Sequence, residues 1–201
     1  MGEKHSSSIW TPANIVTCTR IALVPLWLAL AEVSRNHGLL WTGNKHVWAM
    51  FILYVLISLT DKLDGYLARS RNEVSDFGKF ADPIADKLSV SIALVFLLEI
   101  GLIHSWVLFI VLTREFMVSG LRMVVASKGE VVAASSLGKW KTATTMVAIC
   151  LLLFSVTVTA GFLSNTCRLM GLISMAAAMA LTAWSGVDYF IQCWPYISES
   201  E

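Results

Sequence analysis

Two stretches of this chain are long enough to cross a bilayer and carry no charged side chain, Thr142 to Asn165 and Leu169 to Val187. A membrane span needs about 20 mostly apolar residues. Inside hydrocarbon the backbone N–H and C=O groups find no water, so only helices or closed barrels are viable there. Four more segments approach the same length and apolarity. The six expected spans are 13–33, 47–68, 84–103, 105–126, 142–164 and 169–190. Of the 201 residues, 56% are hydrophobic and 14% charged, against roughly a quarter charged in soluble domains. The chain therefore reads as an all-α integral membrane protein, a six-transmembrane-helix bundle forming a single membrane domain over residues 1–201. Ser6 to Asn14, with Ile9, Trp10 and Pro12, would form a short N-terminal interfacial segment. A frayed terminus explains those residues equally well.

The spans are not alike. The first four hold Arg20, then Asp61 and Asp64, then Asp86, then Arg114, Glu115 and Arg122. An ionisable group at the centre of a membrane helix costs about 2.5–3.5 kcal/mol on insertion scales, which makes each a functional candidate. The last two spans are scaffold. Cys18, Cys150, Cys167 and Cys193 stand singly, mostly in apolar stretches. Neither a zinc site nor a disulfide framework is expected from them, and they read as packing residues. Net charge is +1 with no Lys/Arg-rich run, so nucleic acid is not an expected partner. The N-terminus lacks the pattern of a cleaved signal peptide. Its loose match to a myristoylation pattern carries no weight in a multi-span chain.

Positive charge orients the bundle. Arg69, Arg71 and Lys79 lie between the second and third spans, and Lys128, Lys139 and Lys141 between the fourth and fifth. The alternate links carry fewer, so both basic links and both termini are expected in the cytoplasm. Asp61 and Asp64 then fall at the cytoplasmic end of the second span, and Asp82 and Asp86 at that end of the third. Asp61, Asp64, Gly65 and Ala68 occupy an arc of about 100° on one helix, and Asp82 and Asp86 share a face of the next. Asp82 followed by Pro83 also reads as a helix N-cap with proline at the first position. Four clustered carboxylates repel one another, and partial burial sharpens this. Hard divalent cations relieve it and keep positions open for phosphate. Gly65, Ala68 and Gly78 leave room for close approach of a ligand, although tight helix packing explains any one of them alone.

The run from Asp61 to Asp86 has the form D-x2-D-G-x2-A-R-x8-G-x3-D-x3-D, with eight fixed residues at fixed spacing. It resembles the signature of the CDP-alcohol phosphotransferase family (class I CDP-alcohol phosphatidyltransferases). Similarity extends to Pro12–Arg20, to Arg114-Glu115 with Gly120-Leu121-Arg122, and to Gly138-Lys139-Trp140-Lys141-Thr142. These segments resemble the branch of the family whose acceptor is sn-glycerol 3-phosphate. The resemblance implies six membrane helices in a homodimer, in the inner (cytoplasmic) membrane, and two bound Mg²⁺ or Mn²⁺ ions. An alcohol would attack the β-phosphorus of CDP-diacylglycerol and release CMP. Asp61, Asp64 and Asp82 would be primary metal ligands. Asp86 would stand near the second metal and act as general base. Asp64, Gly65, Ala68, Arg69 and Gly78 would line the CDP-lipid site.

The acceptor's phosphate needs cations, preferably arginine. Arg114 and Arg122 are expected on one face of the fourth span, roughly 12 Å apart along it. With Lys139, Lys141 and Arg20 they form the expected acceptor-phosphate pocket. Plainer roles exist: Lys139 and Lys141 as cytoplasmic anchors, and Arg114 as the ion-pair partner of Glu115. In the last span Ser174, Ala178, Thr182 and Gly186 form a small-residue stripe, better explained by packing within one protomer than by a dimer seam. Serine, inositol phosphate or phosphatidylglycerol are the alternative acceptors. The arginine pair disfavours serine. A divalent-cation transporter would spread its acidic residues across the membrane, whereas these are expected at one face. A non-catalytic scaffold would not need the intact signature.

Overall fold

The structure, a computed structural model, describes residues 12–36, 45–71, 76–130 and 136–198, with the backbone alone for 12, 13, 36, 61–71, 76–80, 82 and 136. Six helices occur among them: α1 (Pro12–Asn36), α2 (Lys45–Arg71), α3 (Asp76–Glu99), α4 (Ser105–Ser127), α5 (Ser136–Thr157) and α6 (Phe162–Ser198). No strand occurs among the described residues. Large apolar side chains face outward, such as Phe116 at 73% exposure and Trp184 at 69%. Helices apolar on faces they do not bury belong in lipid, and the chain is an all-α membrane protein. α1, α5 and α6 each contain a stretch long and apolar enough to cross a bilayer: Asn14–Arg35, Leu137–Thr157 and Phe162–Ser198. The apolar part of α2, Lys45–Thr60, is shorter, and α4 carries Arg114, Glu115 and Arg122 along its length. Exposed tryptophans stand near helix ends, Trp48 on α2, Trp106 on α4, Trp140 on α5 and Trp194 on α6, as interfacial anchors do.

The chain divides into two compact units, Met1–Ala93 and Leu94–Glu201. In the first, α1 and α2 form a helical hairpin. Asn14, Thr17, Arg20, Val24, Trp27, Ala31 and Ser34 recur at three- and four-residue steps and are buried, the spacing that makes one helix face. Val47, Met50, Tyr54 and Ile57 do the same on α2. Trp27 locks the pair: its Nε1–H donates to the Met50 carbonyl at 2.9 Å, and its ring lies 5.5 Å from that of Tyr54. The segment expected to lie at the interface ahead of α1 falls outside the described residues as far as Thr11. Pro12–Asn14 form the first turn of α1 instead, where proline is tolerated because that N–H has no helical acceptor.

In the second unit α5 and α6 are antiparallel and pack closely at Gly171. A β-carbon there would stand 2.9 Å from Leu152 Cδ2 and 3.2 Å from the Leu152 nitrogen. Ser164 Oγ crosses the same interface to the Ser155 carbonyl at 2.6 Å. α4 and α6 run parallel, because Arg114, Arg122 and Lys128 bond in that order to Ser185, Tyr189 and the Tyr196 carbonyl. Val118, Leu121 and Val125 of α4 pack with Tyr189 and Cys193 of α6 between these bonds. Ala178, Thr182 and Gly186 of the small-residue stripe are buried within this protomer. None of the four cysteines is in a disulfide. Hydroxyls on exposed faces return to the preceding turn, as Thr60 Oγ1 does to the Leu56 carbonyl at 2.6 Å and Thr144 Oγ1 to the Trp140 carbonyl at 2.7 Å. This satisfies them without water.

Three expected boundaries move. α3 begins at Asp76 rather than at an Asp82 cap, and Pro83 lies inside it. One lost backbone bond is tolerated there because the helix is supported on both sides of the proline. The break between the last two spans falls at Val158–Gly161 rather than after Asn165, so α6 has 37 residues. At about 55 Å it exceeds the hydrocarbon thickness of about 30 Å. Hydropathy could not place that break, because Phe162 and Leu163 read the same on either side of it. Two other breaks are marked clearly. Gly101 (φ 72°) and Gly129 (φ 78°) each close a Schellman cap, through Leu102 N–H to Leu97 O at 2.9 Å and Glu130 N–H to Val125 O at 3.3 Å.

Candidate active site

In the first unit the signature lies on the last turns of α2 and the first turns of α3. Asp61 and Asp64 belong to α2, Asp82 and Asp86 to α3. The side chains of Asp61, Asp64, Gly65, Ala68, Arg69, Gly78 and Asp82 fall outside the described residues. Asp86 is described: it is partly buried and its Oδ1 is sheltered from solvent. Ser89 Oγ donates to its backbone carbonyl at 2.9 Å, which steadies the turn that carries it.

In the hairpin, Trp27 lies as far before the end of α1 as Tyr54 lies beyond the start of α2. Asn14, Thr17 and Arg20 are the polar members of the buried α1 face, at 2%, 1% and 2% exposure. Polar groups of this kind are not buried without partners. Asn14 and Thr17 were not singled out from the sequence as site residues. Their three-residue spacing ahead of Arg20 on an otherwise apolar face was the available signal.

The second unit holds the remaining cations. Arg114 of α4 is clamped. Its Nε–H donates to Ser185 Oγ at 3.3 Å, and its stem lies against Gly186, where a β-carbon would stand 3.3 Å from Arg114 Cγ. Its Nη2 faces the first turn of α5, 3.6 Å from a β-carbon placed on Gly138. Its Nη1–H donates to Glu115 Oε1 at 3.2 Å, and Lys141 Nζ donates to the same oxygen. The side chains of Arg114, Glu115 and Lys141 are 14%, 18% and 11% exposed. Two cations from two helices are thus gathered, largely out of water, on one carboxylate oxygen.

Arg122 is not part of this group. Eight residues turn an α-helix by about 80°, so Arg122 does not stand above Arg114 as expected. It is exposed, its Nε–H donates to Tyr189 OH at 3.3 Å, and its guanidinium carbon lies 5.6 Å from the Tyr189 ring centroid. Lys139 is also exposed. Arg20 belongs to the first unit. Of the four expected phosphate ligands in the second unit, the structure gathers Arg114 and Lys141. Glu115, Ser185 and Gly186 complete the group and were not predicted as site residues. A charge next to Arg114 in mid-helix was the signal for Glu115; no local pattern marked Ser185.

Residues 10–184 match the CDP-alcohol phosphatidyltransferase family. The chain belongs to that family. It is 37% identical to the CDP-diacylglycerol–glycerol-3-phosphate 3-phosphatidyltransferase of Bacillus subtilis, over 93% of this chain and 97% of that one. It is 38% identical to a probable phosphatidylglycerophosphate synthase of Mycobacterium tuberculosis, over 88% of this chain and 78% of that one. A third relative, the CDP-diacylglycerol–glycerol-3-phosphate 3-phosphatidyltransferase of Cereibacter sphaeroides, is 31% identical over 96% of this chain and 99% of its own length. Family membership makes this chain a phosphatidyltransferase.

Proposed function

We propose that this protein is a phosphatidylglycerophosphate synthase, transferring the phosphatidyl group of CDP-diacylglycerol to sn-glycerol 3-phosphate with release of CMP. The observation that carries the choice of acceptor is the pairing of Arg114 with Lys141 in a largely dry pocket. A phosphate monoester dianion suits two held cations far better than a neutral or zwitterionic alcohol does. The names of the relatives point to the same acceptor.

The aspartates supply only carboxylate oxygens, the donor set that hard divalent ions prefer. Asp61, Asp64, Asp82 and Asp86 would hold two Mg²⁺ or Mn²⁺ ions, which neutralise the pyrophosphate when bound. Asp64, Gly65, Ala68 and Gly78 line the CDP-lipid site, and Arg69 contacts one of its phosphates. Arg20 offsets the carboxylate charge from α1. The Asp86 carboxylate accepts the proton of the acceptor's primary hydroxyl. The hydroxyl oxygen then bonds to the β-phosphorus, and the bond from that phosphorus to the bridging oxygen breaks, with the electron pair leaving on CMP. Arg114 and Lys141 bind the acceptor's own phosphate. Arg122 and Lys139, exposed on α4 and α5, attract the anion from solution. Six spans with both termini and the site on the cytoplasmic side agree with the distribution of basic links.

The test is purified protein in detergent with labelled CDP-diacylglycerol, Mg²⁺ or Mn²⁺, and each acceptor in turn. CMP release dependent on glycerol 3-phosphate is expected. Release with serine or inositol phosphate instead would reassign the acceptor, and folded protein silent with every acceptor would refute the activity.

A further inference from the structure

Glu115 is a carboxylate placed where an incoming phosphate would have to bond. Its Oε1 accepts from Arg114 Nη1 and from Lys141 Nζ, the two donors that the acceptor phosphate is proposed to use. The cations are held by the scaffold. Arg114 is pinned by Ser185 and Gly186 of α6, and Lys141 is buried at the start of α5. Glu115 is the most exposed of the three, at 18% against 14% and 11%. It is therefore the member best able to swing toward water while the other two stay.

We propose that Glu115 is a resident counter-ion that the acceptor's phosphate displaces. In the empty site two cations without an anion would repel each other in a medium of low effective dielectric. Glu115 holds them together in the arrangement the phosphate needs. When a dianion arrives, the phosphate oxygens take over the Arg114 and Lys141 bonds and the Glu115 carboxylate turns outward. Singly charged or neutral solutes do not offset the loss of the carboxylate, so the exchange also selects for doubly charged phosphate monoesters. The inference rests on reading Arg114 and Lys141 as the acceptor-phosphate site.

The competition has a measurable sign. Glu115→Gln replaces a charged competitor by a neutral one, and charge-assisted bonds are about twice as strong as neutral ones. Inorganic phosphate should bind Glu115→Gln roughly tenfold more tightly than wild type, a difference of about 1.4 kcal/mol. Calorimetry of the detergent-solubilised full chain reads this directly. The KM for glycerol 3-phosphate should fall by a similar factor. A merely structural glutamate does not yield a gain in affinity when replaced, so tightening is the diagnostic outcome. Glu115→Asp keeps the charge and withdraws it by one methylene, and should tighten phosphate binding by less. It serves where Glu115→Gln does not fold.

Unchanged or weaker phosphate binding in these variants overturns the inference. Arg114→Gln separates the two readings. If it abolishes phosphate binding while Glu115→Gln fails to tighten it, only the exchange is wrong. If Arg114→Gln leaves phosphate binding intact, the pocket itself has been misassigned and the exchange falls with it.

Discussion

Gly186 and Gly171 lie on the same helix, four turns apart, and should fail in different ways when given a side chain. In Gly186→Ala the new β-carbon would stand 3.3 Å from Arg114 Cγ and 3.2 Å from Met117 Cε, inside the 3.5–4.0 Å of ordinary carbon contact. Met117 Cε ends a flexible side chain and can withdraw. Arg114 Cγ is near the root of its side chain, and a retreat of a few tenths of an ångström there is carried outward to the guanidinium. The bond from Arg114 Nε to Ser185 is already 3.3 Å long, at the upper edge of useful N–H···O distances, so the shift breaks it. A hydrogen bond to a charged group is worth about 1.5–3 kcal/mol. Loss of that positioning should raise the KM for glycerol 3-phosphate about tenfold or more. Stability should fall only modestly, because Ala recovers about 0.8–1 kcal/mol of helix propensity against the lost bond.

Gly171→Ala is the control. Its β-carbon would meet Leu152 carbon atoms at 2.9 Å and the Leu152 backbone nitrogen at 3.2 Å, and a backbone cannot withdraw alone. Overpacking of this kind costs about 1–3 kcal/mol, so the thermal midpoint should fall while KM in the surviving fold stays near wild type. CMP release against acceptor concentration, with thermal unfolding in the same detergent, separates the two. A Gly186→Ala protein with wild-type stability and unaltered KM would refute the claim that α6 sets the position of Arg114.

Other outcomes follow from the two units. Asp86→Asn should abolish turnover and leave CDP-lipid binding largely intact; loss of binding instead would make Asp86 a metal-retention residue. Chelation with EDTA should stop CMP release, and added Mg²⁺ or Mn²⁺ should restore it, whereas activity persisting in EDTA would contradict the metal assignment. Lys141→Met removes one partner of a pair largely out of water, and the thermal midpoint should drop by an amount reflecting a few kcal/mol. Adding Glu115→Gln to Lys141→Met should recover part of that loss, with a coupling of about 1–3 kcal/mol in the double-mutant cycle; simple additivity would show that the pair contributes nothing.

Membrane character and the signature run were legible because both are local. A helix is built from bonds between neighbours in the chain, and hydropathy sums over those same neighbours, so each of the six segments overlaps a helix among the described residues, three of which are long and apolar enough to cross a bilayer. Their ends were less legible. Pro83 reads as a start but lies within α3, and the apolar sequence around Val158–Gly161 contains a break that hydropathy passes over. Glycines with a positive φ, Gly101 and Gly129, mark their turns unambiguously because other residues rarely adopt that conformation.

The sequence by itself determined the family chemistry, since eight residues at fixed spacing on two consecutive helices specify carboxylates, glycines and an arginine together. It did not determine which cations act together. Periodicity turns Arg122 away from Arg114 on α4, but it cannot say which lysine of the next helix meets Arg114. Tertiary structure decided it. Parallel packing of α4 on α6 brings Ser185 and Gly186 to Arg114 across 71 residues of chain, in the case of Ser185, and Tyr189 to Arg122. The first turns of α5 bring Lys141 to Glu115. The physical reason is that a side chain's electrostatic environment is set by what packs against it from other helices, and that information is spread along the chain rather than written beside the residue.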